Sequence, residues 1–287
     1  MPNHNPGSTS GKRTLIAPLV ILVVLAAVIV GAMAVHAVRA RKDADVTVAA
    51  AAPAPTVTLD LPKPPLSRAD IVQDAVASAS AYATSAQPSA SRSALVGRRF
   101  SVRIPFGCGG LGVTAPTAQA SVELDTATNS LKLTAQPSIW TSLPVLQDLP
   151  NAAKLESVEG FWIPRPWIAS EACPPIRNTP LPATPTPAAA QTVGLARLFE
   201  KGGSRVLMRG DKPYQTTVKL PKDDAELLSH TYRLVLEGKI VGFGDGRAAH
   251  CWSETVDHRP ICLYAVTYDR VAFEDGKTGA TLAEWRE

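Results

Sequence analysis

Hydrophobic positions along the chain fall into three regimes. Residues 15–35 form an apolar run of 21 residues without a charge. Residues 67–86 carry apolar side chains at helical spacing, at Val72, Ala75, Val76, Ala79, Tyr82 and Ala83. From residue 95 onward the period drops to two, the mark of half-buried strands.

Each regime predicts elements. The 67–86 helix has a start signal in Ser67 and Asp70, where the hydroxyl accepts a first-turn N–H and the carboxylate reaches back. Its apolar face is narrow and built of small residues, which suits docking on its own domain. Phe100, Val102, Ile104 and Phe106 alternate with Arg99, Ser101 and Arg103 as one strand. Pro105 lacks an N–H and confines that strand to an end or a sheet edge. Residues 121–134 read as a hairpin pairing Leu124 with Leu131 and Glu123 with Lys132. Residues 232–243 read as a second hairpin about Glu237-Gly238, with Val235 facing Ile240. Residues 261–273 read as a long strand, and 223–229 as a short helix with an acidic first turn. The expected fold is mainly β, antiparallel and disulfide-stapled, preceded by one transmembrane helix and a short helix.

At ~1.5 Å per residue the 15–35 run reaches ~30 Å, the thickness of a hydrocarbon core. It predicts a single-pass anchor. The competing expectation is a cleaved signal peptide, with Lys12 and Arg13 as its basic end and Ala32-Met33-Ala34 as its small-residue site. The run exceeds the usual length of a signal core, which favours the anchor. Arg39, Arg41 and Lys42 after the span lean toward a cytoplasmic C-terminus. Cysteine usage leans the other way and carries more weight. The expected location is a bacterial-type inner membrane, with residues 1–14 cytoplasmic and the bulk of the chain periplasmic.

Residues 36–66 read as a Pro/Ala-rich spacer, and 67–94 as helix and linker. An extended spacer of this kind covers ~3.1 Å per residue, enough to hold a domain tens of Å from a bilayer. Residues 95–287 read as a β-rich module. A second proline-rich stretch, 177–191, divides it into 95–176 and 192–287. Either these are two subdomains or the stretch is a surface loop of one unit. Each half alone is near the lower limit for a self-sufficient core, which favours one unit.

The four cysteines are Cys108, Cys173, Cys251 and Cys262. No C-x-x-C pair occurs, so neither thioredoxin-like chemistry nor a zinc ribbon has its spacing. A turn near residues 254–259 would bring Cys251 opposite Cys262, leaving Cys108 for Cys173. In an oxidising compartment such bonds stabilise by roughly 3 and 4 kcal/mol. The rival is a zinc site of His250, Cys251, His258 and Cys262. Adjacent strand residues point to opposite faces, which opposes a shared ion.

Composition narrows the function classes. The 287 residues are 45% apolar and 19% charged, with 25 prolines in clusters. That argues against a disordered chain and against a coiled coil. Twenty-nine basic and 25 acidic residues give a net charge of +4, too little for a strongly basic nucleic-acid binder. No cofactor or resident metal is expected. The glycines around Cys108 lack the Lys and the helix of a phosphate loop and read as a tight turn. The glycines at 242–246 read as a turn or bulge, and Glu274-Asp275-Gly276 as a turn. No hydrolase, kinase or metalloprotease motif occurs. His230 reads as a helix-end cap and His258 as an exposed loop residue.

The most unusual local sequence is 161–167, Phe-Trp-Ile-Pro-Arg-Pro-Trp. Phe161, Trp162, Arg165 and Trp167 form the candidate binding surface, since rings beside an Arg stack on sugars or on a partner's apolar anchor. The competing expectation is that the indoles fill the core. The combined reading is a tethered binding or assembly module whose partners are the lipid bilayer and an envelope protein or cell-wall polymer. The alternative is an envelope-acting enzyme, hydrolase-like, using carboxylates or a histidine near Cys251.

Overall fold

In the computed structural model, the residues described are 63–85, 94–111, 118–149, 151–175, 191–220 and 231–287. The 15–35 run, most of the spacer, the 177–190 stretch, the 223–229 helix and His230 lie outside them. In chain order the elements are α1 (Arg68–Ala83), β1 (Arg99–Phe106), β2 (Ala120–Asp125), β3 (Ser130–Ala135) and β4 (Ser138–Ile139). They continue with α2 (Pro144–Gln147), a 3₁₀ turn (Ala152–Lys154), β5 (Leu155–Trp162), β6 (Val193–Glu200) and β7 (Tyr214–Lys219). The last are β8 (Tyr232–Ile240), β9 (Ala249–Trp252), β10 (Ile261–Asp275) and β11 (Thr281–Arg286). No helix among the described residues is long and apolar enough to cross a membrane.

The architecture is mainly β. An eight-stranded sheet runs β1-β8-β10-β6-β5-β4, with β9 and β11 also on β10. A three-stranded sheet runs β2-β3-β7. Pairing is antiparallel except between β6 and β10. The strands on either side of the proline-rich stretch, β5 and β6, are paired with each other. The first hairpin has the expected register, with Leu124 opposite Leu131 and Glu123 opposite Lys132. Pro105 lies in β1, at the edge of the large sheet.

β10 belongs to two environments. Its first half pairs with β6 and β9, and its second half with β8 and β11. Tyr264 and Val266 enter the main core with Phe100, Val102, Leu195 and Phe161. Leu263 and Ala265 enter a second cluster with Trp140, Leu146 and Val158. Burial on both faces explains why Ile-Cys-Leu-Tyr-Ala-Val shows no polar alternation.

The second expected hairpin is absent. Residues 232–240 form one strand, β8, flanked by β1 and β10. Gly238 marks a close approach instead of a turn. A Cβ there would sit 1.9 Å from the Thr267 carbonyl oxygen, beside the bulge at Asp269. A glycine inside a strand pattern signals either event, and here packing decides.

Helix α1 docks on this sheet. Ser67 caps it, its N–H donating to Asp70 at 2.7 Å, which holds the Asp70 carboxyl below its usual range. The buried stripe is Arg68, Ile71, Val72, Ala75 and Ser78, while Val76 and Tyr82 face outward. Tyr264 donates to Asp74 at 2.6 Å from beneath. Leu66, just before the cap, is buried and bridges to Phe100.

Candidate interaction site

Strand alternation splits the 161–167 segment. Phe161 is 1% exposed and packs against Tyr214 and Tyr268, so it is a core residue rather than part of a surface. Ile163 lies on the same side and is equally buried. Trp162 turns to the second cluster, its ring 4.4 Å from that of Trp140. Gly160 and Gly194 leave the room for Trp140: a Cβ on either would come within 2.6–2.8 Å of its ring. Gln119 fastens the end of β5, accepting from the Trp162 N–H and donating to the Gly160 carbonyl.

Beyond Ile163 the chain leaves the sheet. Ile168 N–H donates to the Arg165 carbonyl at 2.9 Å, closing a turn with Pro166 and Trp167 in its central positions. Proline presets the second position of such a turn. Arg165 itself has a φ of +50°. Trp167, at the tip, is 57% exposed.

This turn rests on a charge buried from another element. The Arg68 guanidinium, 1% exposed, donates to the carbonyls of Pro164, Arg165 (3.2 Å) and Ile168 (3.0 Å). Burial, with Arg165 nearby, lowers its pKa to about 10, and Glu171 opposes that. Sequence pattern alone does not single out Arg68, although it shares the helix face of Ile71 and Val72. The far end of the segment is tied by Cys108–Cys173, with Cα atoms 5.4 Å apart. Glu171 accepts from the Arg103 N–H at 3.2 Å. An aromatic side chain is therefore exposed on a loop braced from beneath and pinned at both ends.

Among the described residues, the cysteines, His250 and the clustered carboxylates already have partners. Cys251 and Cys262 face each other across β9 and β10 and are bonded, with Trp252 opposite Ile261. Their sulfurs are thus unavailable to a metal, and His258 lies out on the loop beside Glu254. His250 Nε2 is 3.0 Å from Asp245. Burial raises the Asp245 pKa, but the Arg247 N–H and His250 outweigh it and hold the carboxyl below its usual range. On the outer face of the sheet, Glu237, Glu274 and Glu284 all lie within 4 Å of Arg270, and Arg103 also holds Glu274. These carboxylates answer to arginines and not to one another. Among the described residues no group of three His, Cys, Asp or Glu is arranged to hold a metal ion. Neither a protein-family model, nor a curated protein, nor a solved structure matches this chain.

Proposed function

We propose that the chain is a single-pass, membrane-anchored envelope protein whose β-rich module works by binding, with the 165–168 turn as its contact. The observation that supports this is the exposed indole of Trp167 on a turn braced by Arg68 and Cys108–Cys173. An aromatic ring on a backbone turn fastened in advance spares the ordering of that loop on capture and supplies a large apolar contact. The partner is an envelope protein or a cell-wall polymer, and the 15–35 run supplies the anchor.

The test is a photo-reactive phenylalanine analogue in place of Trp167, in the full chain expressed in intact cells. Adducts at this position, absent when the analogue replaces exposed Lys239 instead, are the expected result. Equal labelling from both positions would reject the site. Impermeant maleimide labelling before and after reduction reads the location. Thiols that label from outside only after reduction are expected, and thiols reached only on lysis would overturn the exported placement.

A further inference from the structure

Two residues before Trp167 stands a cation without a counter-charge. The Arg165 side chain is half-buried, yet its guanidinium makes no hydrogen bond and no ion pair among the described residues. Burial without a partner is costly for a charge, and it lowers the Arg165 pKa. The neighbouring guanidinium is also incompletely satisfied. Arg68 holds the turn through Nε and Nη2, but its buried Nη1 has no hydrogen-bond partner. Glu171, the carboxylate that offsets Arg68, also lies 3.8 Å from the Arg103 guanidinium. Positive charge is therefore left over at this turn, and Arg165 carries it within reach of solvent, next to the exposed indole.

We infer that the turn takes an anionic sugar polymer, with Trp167 covering the apolar face of a sugar ring and Arg165 holding the carboxylate or phosphate that the polymer carries. The planar guanidinium fork matches either oxyanion with two parallel hydrogen bonds. The backbone of the turn disfavours a peptide in the same place. Pro164 and Pro166 have no N–H, and the Ile168 N–H is spent on closing the turn. The carbonyls of Pro164, Arg165 and Ile168 accept from Arg68. An extended peptide docks through a row of free main-chain groups, and this turn has few to give. The inference rests on the reading of the 165–168 turn as the contact and narrows its partner.

The experiment titrates the full chain, purified in a nonionic detergent, with polygalacturonate, with phosphomannan and with mannan as the uncharged control. Calorimetry reads the binding. At least one anionic polymer should bind and mannan should not; which one binds separates carboxylate from phosphate. Arg165 has a φ of +50°, which asparagine tolerates. Arg165→Asn should therefore keep the urea midpoint and weaken binding about tenfold or more. Trp167→Ala, at an exposed side chain, should weaken it too. Arg259→Asn removes an exposed cation from the β9–β10 loop and should change nothing. Equal losses from Arg165→Asn and Arg259→Asn would mean diffuse attraction of a polyanion to a chain of net charge +4, and would overturn the inference. Binding to neither anionic polymer, or tighter binding of polyglutamate, would overturn it as well. Photo-adducts at position 167 in cells without polymer binding here reject the anionic sugar alone. Polymer binding that ignores both Arg165→Asn and Trp167→Ala, with no adducts at 167, rejects the turn as the contact.

Discussion

The Arg68 Nε donates to the Ile168 carbonyl at 3.0 Å, so the first turn of α1 grips the chain beside Trp167, a hundred residues downstream. Arg68→Met should therefore lower stability by about 2–4 kcal/mol, because three carbonyls lose a charged donor. Arg68→Lys should not restore the loss, since an ammonium cannot reproduce the planar fork. Urea midpoints measure both, and an unchanged midpoint in the Met variant would contradict the brace.

Close backbone approach predicts a sharp contrast among glycines. A Cβ at Gly160 would lie 2.0 Å from the Leu195 carbonyl oxygen and 2.6 Å from Trp140. Gly160→Ala should cost more than about 3 kcal/mol, because backbone cannot yield as a flexible side chain does. Gly202 has open space around it and a φ of +79°. Gly202→Ala should cost only about 1 kcal/mol, from the left-handed backbone alone. Thermal unfolding of the two variants checks the order.

Alkali should weaken the fold. Burial pushes the Tyr232 pKa up to about 12, and raises those of Tyr214 and Tyr268 as well. A raised folded pKa contributes stability that is complete below the ordinary tyrosine value of about 10 and is lost as pH climbs past it. Arg68, lowered to about 10, and Arg165, also lowered by burial, act in the opposite direction, as two groups against three. Stability should fall from about pH 10 upward, with tyrosinate absorbance rising together with unfolding. A smooth titration with no loss of near-UV dichroism would contradict it.

Reduction should act unequally on the two bonds. The pairs are separated by 65 and 11 positions, which gives roughly 4 and 3 kcal/mol in the chain-entropy model. Cys108→Ser with Cys173→Ser should also speed amide exchange at Ile168, whereas Cys251→Ser with Cys262→Ser should leave that amide protected. Hydrogen exchange read by mass separates the two effects.

Local pattern carried much of the architecture. The Ser67 cap, the edge strand around Pro105, the 121–134 register and the Cys251–Cys262 pairing are all set by neighbours in sequence. What local pattern could not supply was the identity of distant partners. Gly238 looks like a turn until β10 pairs beside it and the Thr267 carbonyl closes on it. The helix stripe is displaced from the expected one because α1 settles on β10 through Ile71 and Ala75, whose carbonyls meet Tyr264 and Cys262, a surface invisible from the helix itself. Phe161 belongs to the core for the same reason, packed by Tyr214 and Tyr268. Of the candidate site, the aromatic loop was legible as composition, but its brace was not, since Arg68 acts across the fold.

The pairing of β1 with β8 bears on how the module is made. Phe100 meets Gly238 only after most of the module has left the ribosome. Until then the stripe of Phe100, Val102, Ile104 and Phe106 has no sheet to join, although the β2–β3 hairpin can already close. Such non-local pairing folds slowly and leaves apolar strand faces open to aggregation while it waits. Synthesis halted before residue 232 would release a chain with that stripe uncovered, a natural substrate for chaperones and proteases.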